Sequence, residues 1–182
     1  MKYLFACLLG IFTYQAIAGQ IERLNVQYHD GTYTVEAVLL INVRQQDAWN
    51  IITDYENLNR INPAIIKSEI LLRSENHLKY RLITESCILF FCKHLTIVED
   101  VVEKNGTTIH TIIDPEQSDF ELGETEWHIQ PEGTGQTRVY YQKKIKPNFW
   151  VPPVIGPALV KLKIRNEIKN SIRQVEVLLA NE

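Results

Sequence analysis

The sequence predicts an α+β fold in which a curved antiparallel β-sheet wraps around one long C-terminal helix. Two β-rich segments near the N-terminus flank a hairpin turn, and six further strand candidates with short connections follow a short helical region. The chain then ends in a long amphipathic segment, whose apolar stripe must lie on another apolar surface. Because the concave face of a curved sheet supplies such a surface, sheet and helix should bury each other.

The hairpin and two helices come first. Ile21–Tyr28 and Thr32–Asn42 are rich in β-formers and flank Asp30-Gly31, a dipeptide that favours a two-residue turn. An apolar stripe of helical period predicts a helix from about Gln45 to Tyr55. A short second helix should cover Glu56–Ile61, because the Asn-Pro pair that follows disfavours helical geometry.

Strands and the last helix fill the rest of the chain. The six strand candidates are Ile65–Arg73, Leu78–Cys87, Cys92–Glu103, Thr107–Asp114, Phe120–Gln130 and Thr137–Lys146. Their short connections predict antiparallel neighbours. The apolar parity of the fifth strand changes near Gly123, which predicts a β-bulge there. The last helix should run from about Pro153 to Leu179, which completes a helix-grip arrangement.

Residues 1–18 have the order of a secretory signal peptide. Lys2 precedes an apolar run from Tyr3 to Tyr14, and Ala16-Ile17-Ala18 supplies the small residues of a cleavage site before Gly19. We therefore expect a mature domain of residues 19–182 that is periplasmic or secreted. An uncleaved N-terminal anchor is the alternative.

The net charge limits the possible binding partners, and the cysteine content predicts a disulfide. Without residues 1–18 the chain holds 18 basic and 22 acidic residues, a net charge of −4, which argues against a nucleic-acid partner. Cys87 and Cys92 then remain as the two cysteines, and in an oxidising compartment they are expected to form a disulfide. Two buried free thiols are the alternative.

One end of the predicted sheet carries unusually apolar loops. The connections at Ile61–Ile65, Cys87–Cys92 and Pro147–Pro157 all fall at this end. They either plug the end of the sheet or surround the entrance of an apolar pocket between sheet and helix. The predicted ligand-binding residues are Trp49, Tyr80, Leu82, Trp127, Val139 and Tyr141 inside the pocket, Leu159 on the helix, and Phe149 and Trp150 at the lip. Ordinary core packing also explains each aromatic residue taken singly.

Lysines beside the lip residues suggest a second contact. Lys143, Lys144 and Lys146 precede Phe149 and Trp150, and basic residues beside exposed aromatic residues suit an anionic lipid surface. We therefore consider a peripheral membrane contact through Phe149 and Trp150. A solvated strand end is the alternative.

Three strings of the chain resemble a known superfamily. They are Thr53-Asp54-Tyr55-Glu56-Asn57-Leu58, Asp114-Pro115 with Ser118-Asp119-Phe120, and Pro147 with Phe149-Trp150-Val151-Pro152-Pro153. They look like the START-like (SRPBCC) superfamily, which includes polyketide cyclase/dehydrase-like and coenzyme-Q-binding-like proteins. The resemblance implies a helix-grip domain with a deep pocket for lipids, sterols, quinones or polyketides. Its members range from carriers to enzymes, so the fold leaves the activity open.

The sequence contains no recognisable catalytic or metal motif, and we predict no catalytic residues, no metal and no cofactor. Asp114, Glu116 and Asp119 share one loop, where turn formation explains them without acid/base chemistry. Inside a pocket, Tyr80, Tyr141 or Glu126 would be able to polarise a carbonyl group.

Three functional hypotheses follow. The first is an exported binding protein for an apolar or amphipathic small molecule such as a lipid or quinone. The second is a cyclase- or hydratase-type enzyme that uses the same pocket, which requires a polar pair converging inside it. The third is a module that docks a membrane or envelope protein and has a filled interior.

Overall fold

The computed structural model describes residues 19–75, 77–88, 91–151 and 156–180. The predicted signal peptide and residues 152–155 of the apolar Pro147–Pro157 connection therefore lie outside the described residues. The elements are β1 (Gln20–His29), β2 (Thr32–Ile41), α1 (Gln45–Ile52), a 3₁₀ turn (Leu58–Arg60), β3 (Ile65–Arg73), β4 (Leu78–Ile88), β5 (Phe91–Lys104), β6 (Thr108–Ile113), β7 (Phe120–Glu132), β8 (Gln136–Pro147) and α2 (Gly156–Ala180).

The eight strands form one antiparallel sheet in the order β1-β2-β8-β7-β6-β5-β4-β3. Strands β3 to β8 are neighbours in chain order, as their short connections predict. Strand β2 lies next to the edge strand β1 and pairs with β8, so α1 and the 3₁₀ turn carry the chain across to β3 at the opposite edge of the sheet. The sheet curves around α2, and the predicted α+β helix-grip fold is confirmed.

The hairpin turn forms as predicted. Asp30 and Gly31 both adopt positive φ angles, of 47° and 82°. This backbone matches the right-handed twist of the flanking strands, and glycine adopts it without steric cost.

The helical region is shorter than predicted. Helix α1 ends at Ile52, where the Thr53 hydroxyl donates to the Trp49 carbonyl at 2.9 Å. Asn57 donates to the Asp54 carboxylate at 2.9 Å, which holds the next residues in a turn. Because such short polar side chains compete with helical hydrogen bonds, the predicted second helix is reduced to one 3₁₀ turn.

The β-bulge lies two residues before its predicted position. The β7–β8 register shifts between Phe120 and Leu122, so the extra residue is Glu121. Gly123 instead faces Ile113, and an added Cβ would lie 2.0 Å from the Ile113 Cδ1 atom. The glycine is therefore explained by close packing across the sheet rather than by the bulge.

Helix α2 is anchored unevenly on the sheet. Ile172 and Val175, in its C-terminal half, are buried side chains of the core. Toward the N-terminal end, Leu159 is half-buried and Leu162 is 55% exposed. In the described ranges no helix is both long and apolar enough to cross a membrane.

Candidate functional site

A cavity of about 370 Å³ lies between the concave face of the sheet and α2. Its volume is within the range of small-molecule sites. Most of the wall is apolar, including Leu39, Ile41, Ile52, Leu82, Ile97, Val139, Ile164 and Ile168. A filled interior, which the docking-module hypothesis requires, is therefore not what the described residues form.

Five of the predicted ligand-binding residues line this cavity. Tyr80 and Leu82 face it from β4, Trp127 from β7, and Val139 and Tyr141 from β8. The rings of Trp127 and Tyr141 pack together, with centroids 4.5 Å apart. Strand alternation explains the grouping, because residues two apart on a strand share one face.

The other four predicted residues lie elsewhere. Trp49 packs against the core and is not part of the cavity wall. Leu159 lines a surface groove next to the cavity and not the cavity itself. Phe149 packs against Phe120, with Lys93 4.4 Å from its ring centroid, while the Trp150 side chain is 78% exposed.

A cluster of polar side chains interrupts the apolar wall. Thr111, Thr125 and Lys143 are direct cross-strand partners on β6, β7 and β8. Glu99 projects from β5, and its Oε1 atom lies 3.7 Å from the Lys143 Nζ atom. All four side chains line the cavity, and we call them the polar cluster.

Three atoms of the polar cluster are buried without a hydrogen-bond partner among the described residues. They are Glu99 Oε1, Thr111 Oγ1 and Thr125 Oγ1, on residues that are 3–4% exposed. Leaving a buried polar atom unpaired costs about 1–3 kcal/mol. Such atoms facing a cavity therefore mark the place where a polar group of a ligand, or water, would be stabilised.

Two tyrosines extend the polar cluster toward α1. Tyr80 donates its hydroxyl hydrogen bond to Glu99 Oε2, and its ring stacks on Tyr55 with centroids 5.0 Å apart. Tyr55 in turn donates to Glu103 Oε1 at 2.9 Å. Burial, reinforced by Glu99, raises the pKa of Tyr80 well above its ordinary value, so the phenol stays neutral.

The lysine of the cluster remains charged. Burial by itself lowers the pKa of Lys143, but the nearby Glu99, Tyr141 and Glu167 offset this effect and raise its pKa above the ordinary value. The Lys143 ammonium group therefore compensates the charge of the Glu99 carboxylate inside the protein.

Glu99 was not among the predicted site residues, and Lys143, predicted as one of the lysines beside a lipid surface, instead lines the cavity. Glu99 continues the inward series Leu95 and Ile97, and Lys143 continues Val139 and Tyr141. A charged residue in an inward position of a strand was the available signal. Glu126, which was considered for the pocket, has the opposite parity, and its Oε1 atom pairs with His128 at 3.2 Å outside the cavity.

The carboxylates of the 114–119 loop have structural contacts. Lys79 donates to Asp114 at 2.9 Å and, with Gln117, holds the pKa of that carboxyl below its usual range. Asp119 accepts from the Thr96 amide at 2.8 Å. Glu116 is exposed. Turn formation therefore accounts for this loop, as the sequence analysis favoured.

A surface groove adjoins the cavity. It lies between α2 and the residues before β3, and its wall includes Ala64, Leu159 and Leu162. Lys163 and Glu167 line both spaces and form an ion pair at 2.9 Å. This ion pair therefore lies between α2 residues that border both spaces, as Ala64 does on the opposite side.

The two cysteines lie at the end of the molecule that carries the surface groove. Cys87 and Cys92 are direct partners of the β4–β5 pairing, and their sulfur atoms are within bonding distance. Cys87 also lines the surface groove. In the portion of the chain that the structure covers, no group of three metal-ligating side chains is close enough to hold an ion.

Sequence comparison identifies the family. A family described as "Polyketide cyclase / dehydrase and lipid transport" matches residues 41–168. The chain belongs to this family. The match covers α1 and β3 to β8, whereas β1 and the end of α2 lie outside it. No protein with a curated function matches the chain in sequence.

Solved structures show the same fold at low identity. The Zhui aromatase/cyclase of a Streptomyces species has a TM-score of 0.66 at 13% identity, covering 80% of this chain and 92% of that one. A START superfamily protein of Mycobacterium smegmatis has a TM-score of 0.65 at 21% identity, with coverages of 80% and 98%. A STAR-related lipid transfer protein of Xanthomonas axonopodis has 0.61 at 12% identity, with coverages of 84% and 98%. Together with the family match, these structures confirm the predicted START-like resemblance.

Proposed function

We propose that this chain is an exported binding protein that holds one amphipathic small molecule between the sheet and α2. The observation that carries the proposal is the cavity itself, with an apolar wall and one polar cluster of Glu99, Thr111, Thr125 and Lys143. The wall would bind the apolar body of the ligand at roughly 25 cal/mol per Å² of buried surface, before ordering costs. The family description includes lipid transport, which supports this class of ligand.

The polar cluster favours a neutral hydroxyl group on the ligand. A hydroxyl group donates to Glu99 Oε1 and accepts from a threonine hydroxyl, so it satisfies atoms that are otherwise unpaired. A carboxylate would add a second negative charge beside Glu99, for which Lys143 is the cluster's one cation. We therefore expect long-chain alcohols, sterols or quinols to bind better than the matching acids.

The test measures binding of a matched series by native mass spectrometry and displacement of a fluorescent fatty probe. The series is a long-chain alcohol, the fatty acid and the alkane of equal length. The alcohol should bind best. The Glu99→Gln substitution should weaken binding of the alcohol about tenfold and strengthen binding of the acid. Glu126→Gln, which changes an outward carboxylate on β7, is the control. A protein that takes up none of the three compounds would refute the binding proposal.

An enzyme is the second candidate, because the polar pair that such an enzyme requires does lie inside the cavity. Glu99 would accept a proton from a carbon next to a ligand carbonyl, and Lys143 would stabilise the developing oxyanion. The β-hydroxyl group would then leave as water with the proton that Glu99 took up, which completes a dehydration and restores the Glu99 carboxylate. A ligand that carries this β-hydroxyl group, recovered after incubation with the protein, would then be lighter by one water molecule. The Glu99→Gln variant would still bind this ligand but would leave its mass unchanged. An unchanged ligand mass excludes this candidate.

Export and membrane contact complete the proposal. Residues 1–18 support export by their order of charge, apolar run and small residues. A Cys87–Cys92 disulfide suits that compartment. Membrane contact stays a prediction, and of its two aromatic residues only Trp150 is exposed.

A further inference from the structure

One carboxylate oxygen of Glu176, on α2, accepts hydrogen bonds from three N–H groups. The Gly19 nitrogen donates to Glu176 Oε1 at 2.6 Å. The Asn42 backbone and side-chain nitrogens donate to the same atom at 3.0 and 3.1 Å. These contacts tie the start of β1 and the end of β2 to the C-terminal half of the helix.

Glu176 stands in an unfavourable place for a negative charge. It lies four residues before Ala180, where α2 ends, and the C-terminal end of a helix carries a partial negative charge. Across the described ranges no lysine or arginine forms an ion pair with it. A cation at this position would therefore stabilise both the carboxylate and the helix end.

Gly19 is closely surrounded. A Cβ atom added there would lie 2.5 Å from Glu176 Oε1, 2.6 Å from Ile172 Cγ2 and 2.8 Å from the Leu40 carbonyl oxygen. No other residue type fits without moving these neighbours. The nitrogen that contacts Glu176 is also the nitrogen that the predicted signal cleavage would expose.

We propose that cleavage of the Ala18–Gly19 bond places the new α-ammonium group in an ion pair with Glu176. Water adds across the amide bond, so the released peptide keeps the Ala18 carboxylate, and the Gly19 amine takes up a proton. One neutral N–H donor thereby becomes a charged group with three donors. The mature N-terminus then fastens β1 to α2.

The proposal rests on export but not on the ligand, and two experiments separate them. The full chain is first expressed with export in a bacterial host, and the purified protein is measured by intact mass and N-terminal sequencing. A chain that begins at Gly19 supports the proposal. An uncleaved chain overturns the proposal and the signal cleavage on which it rests, and another N-terminus overturns the proposal alone.

The second experiment compares urea unfolding of the chain that begins at Gly19 with a chain extended by Ala18. The extension turns the ammonium into an amide, so we expect an unfolding equilibrium constant about fivefold larger. Glu176→Gln should remove this difference, whereas Glu36→Gln, an exposed carboxylate on β2, should preserve it. Equal stability of the two chains with wild-type Glu176 would overturn the ion pair while leaving export intact.

Discussion

Replacing Lys143 with methionine tests whether the charges of the polar cluster compensate each other. Its Nζ atom lies 3.7 Å from Glu99 Oε1, which at an effective dielectric constant of about 20 corresponds to an attraction of about 4.5 kcal/mol. Lysine desolvation offsets part of this attraction, but the variant leaves the Glu99 carboxylate buried and unpaired. Breaking a buried pair in this way costs about 3–5 kcal/mol. Because the Lys143 side chain is 20% exposed, we expect the lower value.

The assay is urea unfolding of the mature chain, followed by tryptophan fluorescence at neutral pH. A loss of about 3 kcal/mol corresponds to a thermal midpoint lower by about 6–12 °C in a domain of this size. Lys144→Met, the exposed neighbour on the same strand, should change the free energy of unfolding by less than about 0.5 kcal/mol. Adding Glu99→Gln to Lys143→Met should recover part of the loss, because the glutamine is neutral and still accepts from Tyr80. If Lys143→Met costs under about 1 kcal/mol, or the double variant loses the sum of both single losses, the reasoning is wrong.

Three further predictions concern packing, pH and the cysteines. Gly123→Ala should lower the free energy of unfolding by about 1–3 kcal/mol, because its Cβ would overlap Ile113, and an unchanged thermal midpoint would contradict this. Burial raises the pKa of Tyr80, so its contribution to stability is complete below about pH 10 and is lost as the pH rises further. Stability should therefore fall more steeply above pH 10 in the wild type than in Tyr80→Phe, and parallel pH profiles from urea unfolding would exclude that assignment. Cys87→Ser should lower the free energy of unfolding by about 2 kcal/mol, as expected for a cross-link of sequence separation 5. A reductant should lower the unfolding midpoint of the wild type to that of the variant. If the reductant leaves the wild-type midpoint unchanged, the disulfide is absent.

Local patterns were sufficient to predict the elements and most of the topology. The Asp30-Gly31 turn and the antiparallel order of β3 to β8 follow from turn chemistry and short connections. The pairing of β2 with β8 joins residues about a hundred positions apart, and no local signal specifies it. The predicted second helix is only one 3₁₀ turn, because side-chain hydrogen bonds from Thr53 and Asn57, rather than hydrophobic period, decide that segment.

The candidate site was predictable in its apolar part only. Alternation along β4, β7 and β8 placed Tyr80, Trp127 and Tyr141 together, because parity is a local property. Glu99 and Lys143 come from strands that are not neighbours and meet only because the sheet curves. Their contact depends on how strongly the sheet curves between β5 and β8, and the alternation of residues along single strands does not specify this. The positions of the lip residues were harder still to predict, because Phe149 packs against Phe120 within a loop that follows no regular pattern.

The uneven anchoring of α2 has a kinetic consequence. The buried Ile172 and Val175 hold one half of the helix on the sheet, while the half that carries Leu162 and the Lys163–Glu167 pair has weaker contacts. Segments with few buried contacts open at a lower free energy than the whole domain. We therefore expect that the residence time of a ligand bound in the cavity would depend on opening of this helix end, whereas the unfolding rate of the domain would depend on the sheet. Substitutions near Leu162 would change the residence time of the ligand without changing the unfolding rate of the domain.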